Sequence, residues 1–253
     1  MVIILLNIFC RYERELLLRS CNTSLCSLLQ FDYTQWPGHV RDLKLHAYRP
    51  IIIQMTLRDI GSLVWLDIDY RLTESNLAPW LDQAATAGVV AWEHESAMAI
   101  PVDSQRPIRA AIATTALTHP KMFEFFDSSK YEDYAFQHMS SSSSLVVLYT
   151  QAVHTQLMLP WLKCVLTESC INPIGAQDTG CRFDKKPQYR YSGCHRYDMS
   201  ALNIVLGDMF TFQEGEYMGS KPFFRKVNQD PSSEKSVTVS NYSVTRDLGS
   251  LEM

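Results

Sequence analysis

The sequence predicts an α/β domain in which helices cover a largely parallel sheet. Residues 47–93 alternate in the order helix, strand, helix, strand, and this alternation is typical of α/β proteins. The predicted strands are apolar on both faces, as are the central strands of a covered sheet. The chain has 253 residues, of which 46% are hydrophobic, so it can form one core of ordinary size.

Local signals place the helices and strands of the first half. Pro50 suits the first turn of a helix, where its missing N–H does no harm, and Gly61 suits the C-terminal cap. Ser75 or Asn76 is predicted to cap the next helix. The predicted order is a helix over 12–20, a strand over 27–33, a loop over 35–40, a helix over 47–61, a strand over 62–67, a helix over 77–87 and a strand over 89–93.

The second half is less regular and ends in a polar tail. Residues 229–253 are polar and serine-rich, which predicts disorder. The predicted organisation is one α/β domain over residues 1–228 and a tail over 229–253. Within the domain, the predicted order is a short helix after His119-Pro120, a low-complexity loop at 140–144, a strand over 145–149, a helix over 150–170 with a kink or break at Pro160, and a helix with Asp198 as its N-cap.

Charge and composition exclude one class of partner. The formal net charge is -4 at pH 7, and no basic patch or stripe is visible along the sequence. We therefore expect no nucleic-acid partner. Aromatic residues make up 11% of the chain, which fits a packed domain rather than a disordered one.

The cysteines point to an oxidising compartment. None of them forms a CxxC pair, so a zinc ribbon is not predicted. An even set of six outside the first segment suits disulfides, and sequons at Asn22 and Asn241 agree with a secreted chain. The alternative is a cytosolic protein with reduced structural cysteines. The seven cysteines are Cys10, in the apolar N-terminal run, and Cys21, Cys26, Cys164, Cys170, Cys181 and Cys194.

The chain begins with an apolar run, MVIILLNIFC. The run is too short to span a bilayer, which takes about 20 apolar residues. No basic segment precedes it, so it does not fit a signal peptide. We expect either a buried strand or the frayed beginning of an incomplete chain.

The stretch SLVWLDIDY at residues 62–70 places Asp67 and Asp69 at the carboxyl end of a predicted strand. Alternate residues of an extended strand point the same way, so the two carboxylates can face one ion. Mg²⁺ and Mn²⁺ prefer carboxylate oxygens and also bind substrate phosphates. Open α/β sheets bind ligands beyond the carboxyl ends of their strands. The alternative is that both residues only cap a strand or a turn.

A second candidate site is the stretch GCHRYDMSALN, which enters a predicted helix. A helix N-terminus favours anions through its free N–H groups and its dipole. In the functional interpretation His195 is a third metal ligand, Arg196 clamps a phosphate, and Asp198 is a general base or accepts from sugar hydroxyls. In the structural interpretation Asp198 caps the helix and Arg196 forms a salt bridge. His195 then packs against Tyr197.

His119 is a third candidate, because a His-Pro corner after an apolar stretch can line a pocket; the alternative is a structural histidine. Several motifs are absent from the sequence: it has no P-loop, no G-x-G-x-x-G, no G-x-S-x-G and no HExxH. Their absence argues against nucleotide hydrolysis, dinucleotide binding, serine hydrolases and zincins.

Five stretches resemble an uncharacterised family of glycosyltransferase-like domains. The most specific is the Cys-His-Arg-Tyr-Asp-x-Ser-Ala-Leu-Asn string, followed by Arg49-Pro50 opening a helix before the strand with the aspartates. The position after Asp198 is often Gln in the family and is Met199 here. The similarity covers residues 12–227 through FDYTQWPGHVRDLKLHAYRPIIIQ, GSLVWLDIDYRL, THPKMFEFF, CINPIGAQDTGCRF and SGCHRYDMSALNIVLGDMF.

The resemblance implies a GT-A-type fold, a Rossmann-like mixed sheet flanked by helices that binds a nucleotide-sugar. Asp67 matches the first acidic position of the family's strand-end motif, and Asp69 falls near its variable third position. His195, Arg196 and Asp198 match the string directly. Such proteins usually sit in the Golgi or ER lumen on one N-terminal membrane helix. We expect this chain to lack that anchor and the first N-terminal strand of the fold.

Three functional interpretations follow, in order of preference. The first is an enzyme that transfers a sugar from a nucleotide-sugar to the hydroxyl of a glycan or protein acceptor. The second is a catalytically inactive glycosyltransferase-like domain that binds a glycan or a protein partner in the secretory pathway. The third is a structural domain whose aspartates only cap a strand. The enzyme's predicted site comprises Mn²⁺ or Mg²⁺ on Asp67, Asp69 and His195, donor contacts from Arg196 and His119, and Asp198 as the base.

Overall fold

The structure, a computed structural model, shows a mixed α/β fold with a small antiparallel sheet and helices. It describes residues 3–7, 26–94, 99–100, 108–109, 111–127, 131–184, 187 and 189–227. The predicted helix over 12–20, the tail over 229–253, Cys10, Cys21 and both sequons lie outside the described residues.

The described strands are β1 (Ile3–Asn7), β2 (Cys26–Gln30), β3 (Ser62–Leu66), β4 (Tyr70–Leu72), β5 (Val89–Glu93), β6 (Ala99–Ile100), β7 (Ile108–Arg109), β8 (Ser140–Leu148) and β9 (Phe224–Lys226). The described α-helices are α1 (Tyr48–Ile60), α2 (Ala78–Ala87), α3 (Pro120–Phe125), α4 (Leu159–Val165), α5 (Glu168–Ile171), α6 (Asp198–Met209) and α7 (Glu214–Tyr217). A π-helix covers Val153–Met158, and short 3₁₀ turns cover Tyr33–Gln35, Gly38–Arg41, Leu43–Leu45, Thr114–Leu117 and Asp133–Ala135.

The largest described sheet has β8 at its centre. It pairs antiparallel with β3 on one side and with β5 on the other. The expectation of a largely parallel sheet is therefore wrong here: β3 and β5 run in the same direction, but β8 separates them. Two-stranded pairs complete the described strands, with β1 parallel to β2, β6 antiparallel to β7 and β4 antiparallel to β9.

The serine run is part of the central strand and not the predicted loop. Ser140–Leu148 is one continuous strand, and most of its serines are buried. Their polar groups are satisfied: Asn203 Oδ1 accepts from the Ser140 amide at 2.7 Å, and Arg49 donates to the Ser142 hydroxyl at 2.8 Å. Small side chains leave room for these two long polar residues to approach the sheet.

The helix and strand predictions over 47–93 are confirmed. Gly61 ends α1 at φ 82°, and its amide donates to the Leu57 carbonyl at 2.8 Å. The predicted cap at Ser75 or Asn76 is wrong, because the N-cap of α2 is Leu77, which makes no side-chain cap hydrogen bond. The Asn76 side chain accepts from the Ala78 amide at 3.0 Å just before the helix. Gly88 ends α2 at φ 84°, and a Cβ there would lie 2.4 Å from Val153 Cγ2. Only glycine meets both requirements.

The predicted kink near Pro160 takes the form of a π-helix. Val153–Met158 is π-helical and leads directly into Leu159–Val165. Pro160 has no N–H, so the regular ladder of helical hydrogen bonds cannot pass through it, and the turn before it widens. The predicted helix then ends at Val165, and α5 begins at Glu168.

Both faces of the main sheet are covered. Val147 and Ala91 face the larger core, together with α1, α4 and α6. Val146 and Val90 point the other way, into a smaller cluster with Ala84 of α2 and with Trp92 and Phe223. This alternation is what places helices on both sides of the strands, as the sequence predicted.

Candidate functional site

Arg49 lies at the centre of a buried polar cluster at the carboxyl end of β3. It sits in the first turn of α1, and its side chain is 2% exposed. Its Nη2 donates to Asp67 Oδ2 at 2.7 Å and its Nε to Asp67 Oδ1 at 3.3 Å, a bidentate pair. Its Nη1 donates to the Ser142 hydroxyl and to Asp198 Oδ2. One guanidinium therefore joins α1, β8, α6 and the end of β3.

Asp67 is the partly exposed member of this cluster. β3 ends at Leu66, and Asp67 starts a turn in which its carbonyl accepts from the Tyr70 amide at 3.0 Å. Its carboxylate also accepts from the Trp65 indole at 2.9 Å. Burial alone would raise the pKa of Asp67, but the charge and hydrogen bonds of Arg49 hold that pKa below its usual value.

Asp198 is the fully buried member of the cluster. It is the first residue of α6 rather than its predicted N-cap, which is Tyr197, and it is 1% exposed. Its carboxylate pairs with Arg49, and its carbonyl accepts from the Trp161 indole at 2.9 Å. Burial raises the pKa of Asp198, and the opposing charge of Arg49 does not cancel this effect.

Asp69 lies on the same turn but has a different partner. Its carboxylate is 3.1 Å from Lys226 Nζ, and both side chains are partly exposed. Its carbonyl accepts from the Val227 amide at 2.7 Å. Asp69 therefore belongs to the β4–β9 ribbon. The expectation that Asp67 and Asp69 leave one extended strand together is wrong, because residues 67–70 form a turn.

His195 is apart from the two aspartates and fully buried. Its Nδ1 accepts from the His119 amide at 3.1 Å, so the ring proton lies on Nε2, which donates to the Ile171 carbonyl at 3.0 Å. Burial lowers the pKa of His195 to about 3. Both ring nitrogens are engaged, so this histidine has no free lone pair for a metal ion.

Arg196 and His119 hold loops in place. Arg196 Nη1 donates to the Asp178 carbonyl at 2.8 Å. His119 is the N-cap of α3, and its Nδ1 accepts from the Lys121 amide at 3.3 Å. Burial lowers the pKa of His119. The structure brings His119 and His195 together, with ring centroids 6.3 Å apart, but gives neither a shared contact with Asp67 or Asp69.

Tyr197 carries backbone strain at the entry of α6. Its φ is 47° and its ψ is -115°, a conformation that favours glycine. Strain of this kind costs about 1–3 kcal/mol and persists only where the surroundings impose it. At this reversal the His195 ring packs against Tyr197, with ring centroids 5.2 Å apart, and the Asp198 carboxylate pairs with Arg49. No sequence signal predicts positive φ at a tyrosine.

Two members of the cluster, Arg49 and Ser142, were not predicted as site residues. Arg49 stands in an otherwise apolar helix start, AYRPIII, and an ionisable residue in a buried stripe needs a partner. That signal could have identified Arg49. No such signal marked Ser142, because its segment was predicted as a loop.

Asp67 and Asp69, the carboxylates predicted to bind a divalent cation, have oxygens of the kind that such a cation prefers. The Asp67 and Asp69 side chains are 20% and 32% exposed, and their oxygens are the donors that Mn²⁺ and Mg²⁺ prefer. Lys226 holds Asp69 only through an exposed ion pair, and such pairs are weak. Across the described part of the chain, no three His, Cys, Asp or Glu side chains are grouped to hold a metal ion. Further ligands would have to be substrate phosphates or water.

Comparison of the chain with models of known families, with curated proteins and with solved structures finds no match. Within the described residues, no helix has the length and apolar character needed to cross a membrane. Two disulfides lie within the described residues, Cys164–Cys170 and Cys181–Cys194, and they indicate an oxidising, secretory or extracellular location.

We expect the Cys181–Cys194 disulfide to stabilise the loop that leads into α6. The bond joins residues with a sequence separation of 13, and Cys194 is fully buried next to His195. A closed loop of about 14 residues corresponds to about 3 kcal/mol. The C181A/C194A variant should therefore lose about 3 kcal/mol in the free energy of unfolding, measured by urea titration.

The second disulfide provides the comparison for that measurement. Cys164–Cys170 has a sequence separation of 6. Its shorter loop predicts a loss of about 2 kcal/mol for C164A/C170A. A loss below about 1 kcal/mol in C181A/C194A would contradict a stabilising role for that bond.

Proposed function

We propose that the chain is a glycosyltransferase-like protein that binds a nucleotide-sugar beside the carboxyl end of β3 and transfers the sugar to an acceptor hydroxyl. The supporting observation is that Asp67 and Asp198, far apart in the chain, converge on Arg49 at this sheet edge. β3 and β5 run in the same direction, so their carboxyl ends lie at this same edge of the sheet.

In this proposal Asp67 and Asp69 are the carboxylates that a substrate can reach. They would hold Mn²⁺ or Mg²⁺, which when bound supplies positive charge for the leaving diphosphate. Arg49 and the Trp65 indole keep the Asp67 carboxylate in one orientation. Asp198, which the sequence suggests as the base, lies under Arg49 and is 1% exposed, so we assign it the positioning of Arg49.

The transfer itself is a substitution at the anomeric carbon of the donor sugar. The acceptor oxygen forms a bond to that carbon, and the bond from the carbon to the diphosphate oxygen breaks. The diphosphate leaves with the electron pair, and the acceptor proton passes to water or to an exposed carboxylate. Arg196 and His119 remain proposed donor contacts at the entry of α6 and α3, and the Golgi or ER lumen remains the proposed compartment.

A second candidate function is a catalytically inactive domain of the same type that binds a glycan or a protein partner. The observation in its favour is that every carboxylate of the site is already paired with a cation. Arg49 holds Asp67 and Asp198, and Lys226 holds Asp69. A domain that only binds a glycan or a protein does not need to break these ion pairs.

We expect replacement of Asp69 with asparagine to weaken donor binding at least about tenfold, since loss even of an outer-shell partner typically costs 10–100-fold in metal affinity. Asp69 is preferred to Asp67 because its exposed ion pair contributes little to stability. Isothermal titration calorimetry with UDP- and GDP-sugars, with and without Mn²⁺, measures the effect.

Asp59→Asn is the matched control for that titration. Asp59 is 62% exposed and also pairs with a basic residue, Arg58, but it lies in α1 away from the turn. Its replacement should leave donor affinity unchanged. The enzyme proposal is lost if no nucleotide-sugar gives heat with or without Mn²⁺, and metal-independent binding of neutral glycans would then favour the second candidate.

A further inference from the structure

The β4–β9 ribbon places two arginines directly opposite each other. Its register pairs Tyr70 with Lys226, Arg71 with Arg225, and Leu72 with Phe224. Residues directly opposite in antiparallel strands have Cβ atoms about 5 Å apart and point to the same face. Arg71 and Arg225 therefore share one face of the ribbon, and both are exposed.

This arrangement costs stability, and the part of the chain that the structure describes offers no compensating carboxylate. Like charges directly opposite on a sheet are destabilising. Arg71 donates to the carbonyls of Ile68 and Tyr70 at 2.7 and 2.9 Å, and both acceptors are neutral. Among the described residues, neither guanidinium lies within ion-pair distance of a carboxylate. A pair of this kind is suited to hold an anion from outside the chain.

The ribbon is also anchored, so the two arginines stand on a fixed scaffold. On the opposite face Phe224 contacts Tyr70 and Trp92, with ring centroids 5.4 and 4.9 Å apart. The ladder continues beyond both ends: the Thr73 amide donates to the Phe223 carbonyl, and the Val227 amide donates to the Asp69 carbonyl, each at 2.7 Å. A binding group held on such a scaffold loses little entropy when it takes its ligand.

The local charge differs in sign from that of the whole chain. The formal net charge of the protein is -4. On the ribbon, Asp69 offsets Lys226 through their ion pair, and the charges of Arg71 and Arg225 remain. The surface next to the proposed donor site is therefore cationic.

We propose that Arg71 and Arg225 bind an anionic acceptor glycan through its sulfate or carboxylate groups. The inference rests on the proposed function, because it assigns the acceptor of that same site. Guanidinium groups bind sulfate and carboxylate bidentately. Arg71 lies two residues beyond Asp69, and both arginines are exposed, which suits an extended polymer. A nucleotide is usually bound in a concave pocket. The disulfides place the chain where such acidic glycans occur and nucleic acids do not.

The test uses the full chain and a fully sulfated heparin hexasaccharide as probe, in the absence of nucleotide and metal. A desulfated, N-acetylated hexasaccharide of the same length is the neutral comparison, and UDP and inorganic pyrophosphate are titrated separately. The variants are R71Q, R225Q and the double variant. Arg58→Gln, which removes an exposed arginine on α1, controls for the change in net charge.

We expect the sulfated probe to bind and the desulfated probe not to bind. Each single variant should weaken binding by about tenfold, since a charge-assisted hydrogen bond is lost, and R58Q should not. UDP affinity should be the same in all variants. Lack of binding to the sulfated probe, or an equal loss in R58Q, overturns the inference. Loss of UDP or pyrophosphate affinity in R71Q/R225Q also overturns it, because the pair would then serve the donor diphosphate.

Arg225→Glu separates binding from folding. It places a carboxylate opposite Arg71, and the new cross-strand ion pair should raise the melting temperature by about 1–3 °C. The same variant should no longer bind the sulfated hexasaccharide. A fall in melting temperature would mean that the two arginines do not oppose each other. If the chain binds the hexasaccharide but no nucleotide-sugar, the inferred anion site is supported and the proposed sugar transfer is refuted.

Discussion

Replacing Arg49 with methionine is expected to lower the free energy of unfolding by about 3–5 kcal/mol, the usual cost of breaking a buried ion pair from one side. Methionine fills much of the same volume but leaves Asp198, which is 1% exposed, without a cation. It also removes the bidentate pair with Asp67 and the hydrogen bond to Ser142. Urea unfolding at pH 7, followed by tryptophan fluorescence, measures the loss.

The partners of Arg49 make the prediction more specific. Asp198→Asn leaves one guanidinium facing one carboxylate, so its cost should be smaller than that of R49M. The double variant R49M/D198N should lose less free energy of unfolding than the sum of the losses in the two single variants. The reason is that D198N removes the buried carboxylate that R49M leaves without a partner. Additive costs would mean that the two residues do not interact.

Arg58→Met is the control on the same helix. Arg58 is 72% exposed and pairs with its neighbour Asp59, which is 62% exposed. Exposed pairs of this kind contribute little, and the change should stay within about 0.5 kcal/mol. If R49M also costs less than about 1 kcal/mol, Arg49 does not hold the cluster together.

The sequence predicted the parts of the fold that depend on local signals. The helices that end at Gly61 and at Gly88 carry their own C-terminal boundary residues. The strands that follow them are apolar runs directly after those glycines. Their order and type therefore followed from neighbours in the chain, and the structure confirms them.

The rest depends on contacts between distant residues. The serine run was predicted as a loop because its hydroxyls are usually exposed, whereas here Arg49 and Asn203 satisfy them inside the sheet. The strand over 145–149 was predicted, and it is the second half of β8. Its antiparallel place between β3 and β5 was not, because strand order is decided by pairing between residues that are distant in the chain.

The candidate site was predicted in part for the same reason. Asp67 and Asp198 were singled out as chemical groups, and the structure does bring them together. Their link, Arg49, lies 18 residues from one and 149 from the other, a separation that no local pattern reports. The burial of His195 is likewise decided by Ile171 and His119, which are distant in sequence.

Lowering the pH from 7.5 to 5 is expected to destabilise the protein by about 4 kcal/mol through two histidines, the buried His195 and the partly buried His94. Burial lowers the pKa of His195 to about 3 and that of His94 to about 4, against 6.5 in an unfolded chain. Below pH 6.5 the unfolded state therefore binds protons at these two histidines, and the folded state does not. Stability is complete above about pH 6.5 and falls as the pH decreases towards the folded values, with each histidine contributing about 2 kcal/mol at pH 5.

His195→Asn is expected to remove about half of this dependence, whatever it does to stability at pH 7.5. The quantity to compare is the slope of the unfolding free energy against pH between 6.5 and 5, which is about 1.4 kcal/mol per unit for each proton taken up. Ile171→Val is the control: it trims the buried side chain next to His195, keeps the carbonyl that accepts from its Nε2, and should lower stability by about 1 kcal/mol equally at every pH. An unchanged slope in His195→Asn would mean that His195 is protonated in the folded protein, and the neutral, buried ring bridging Ile171 and His119 would have to be abandoned.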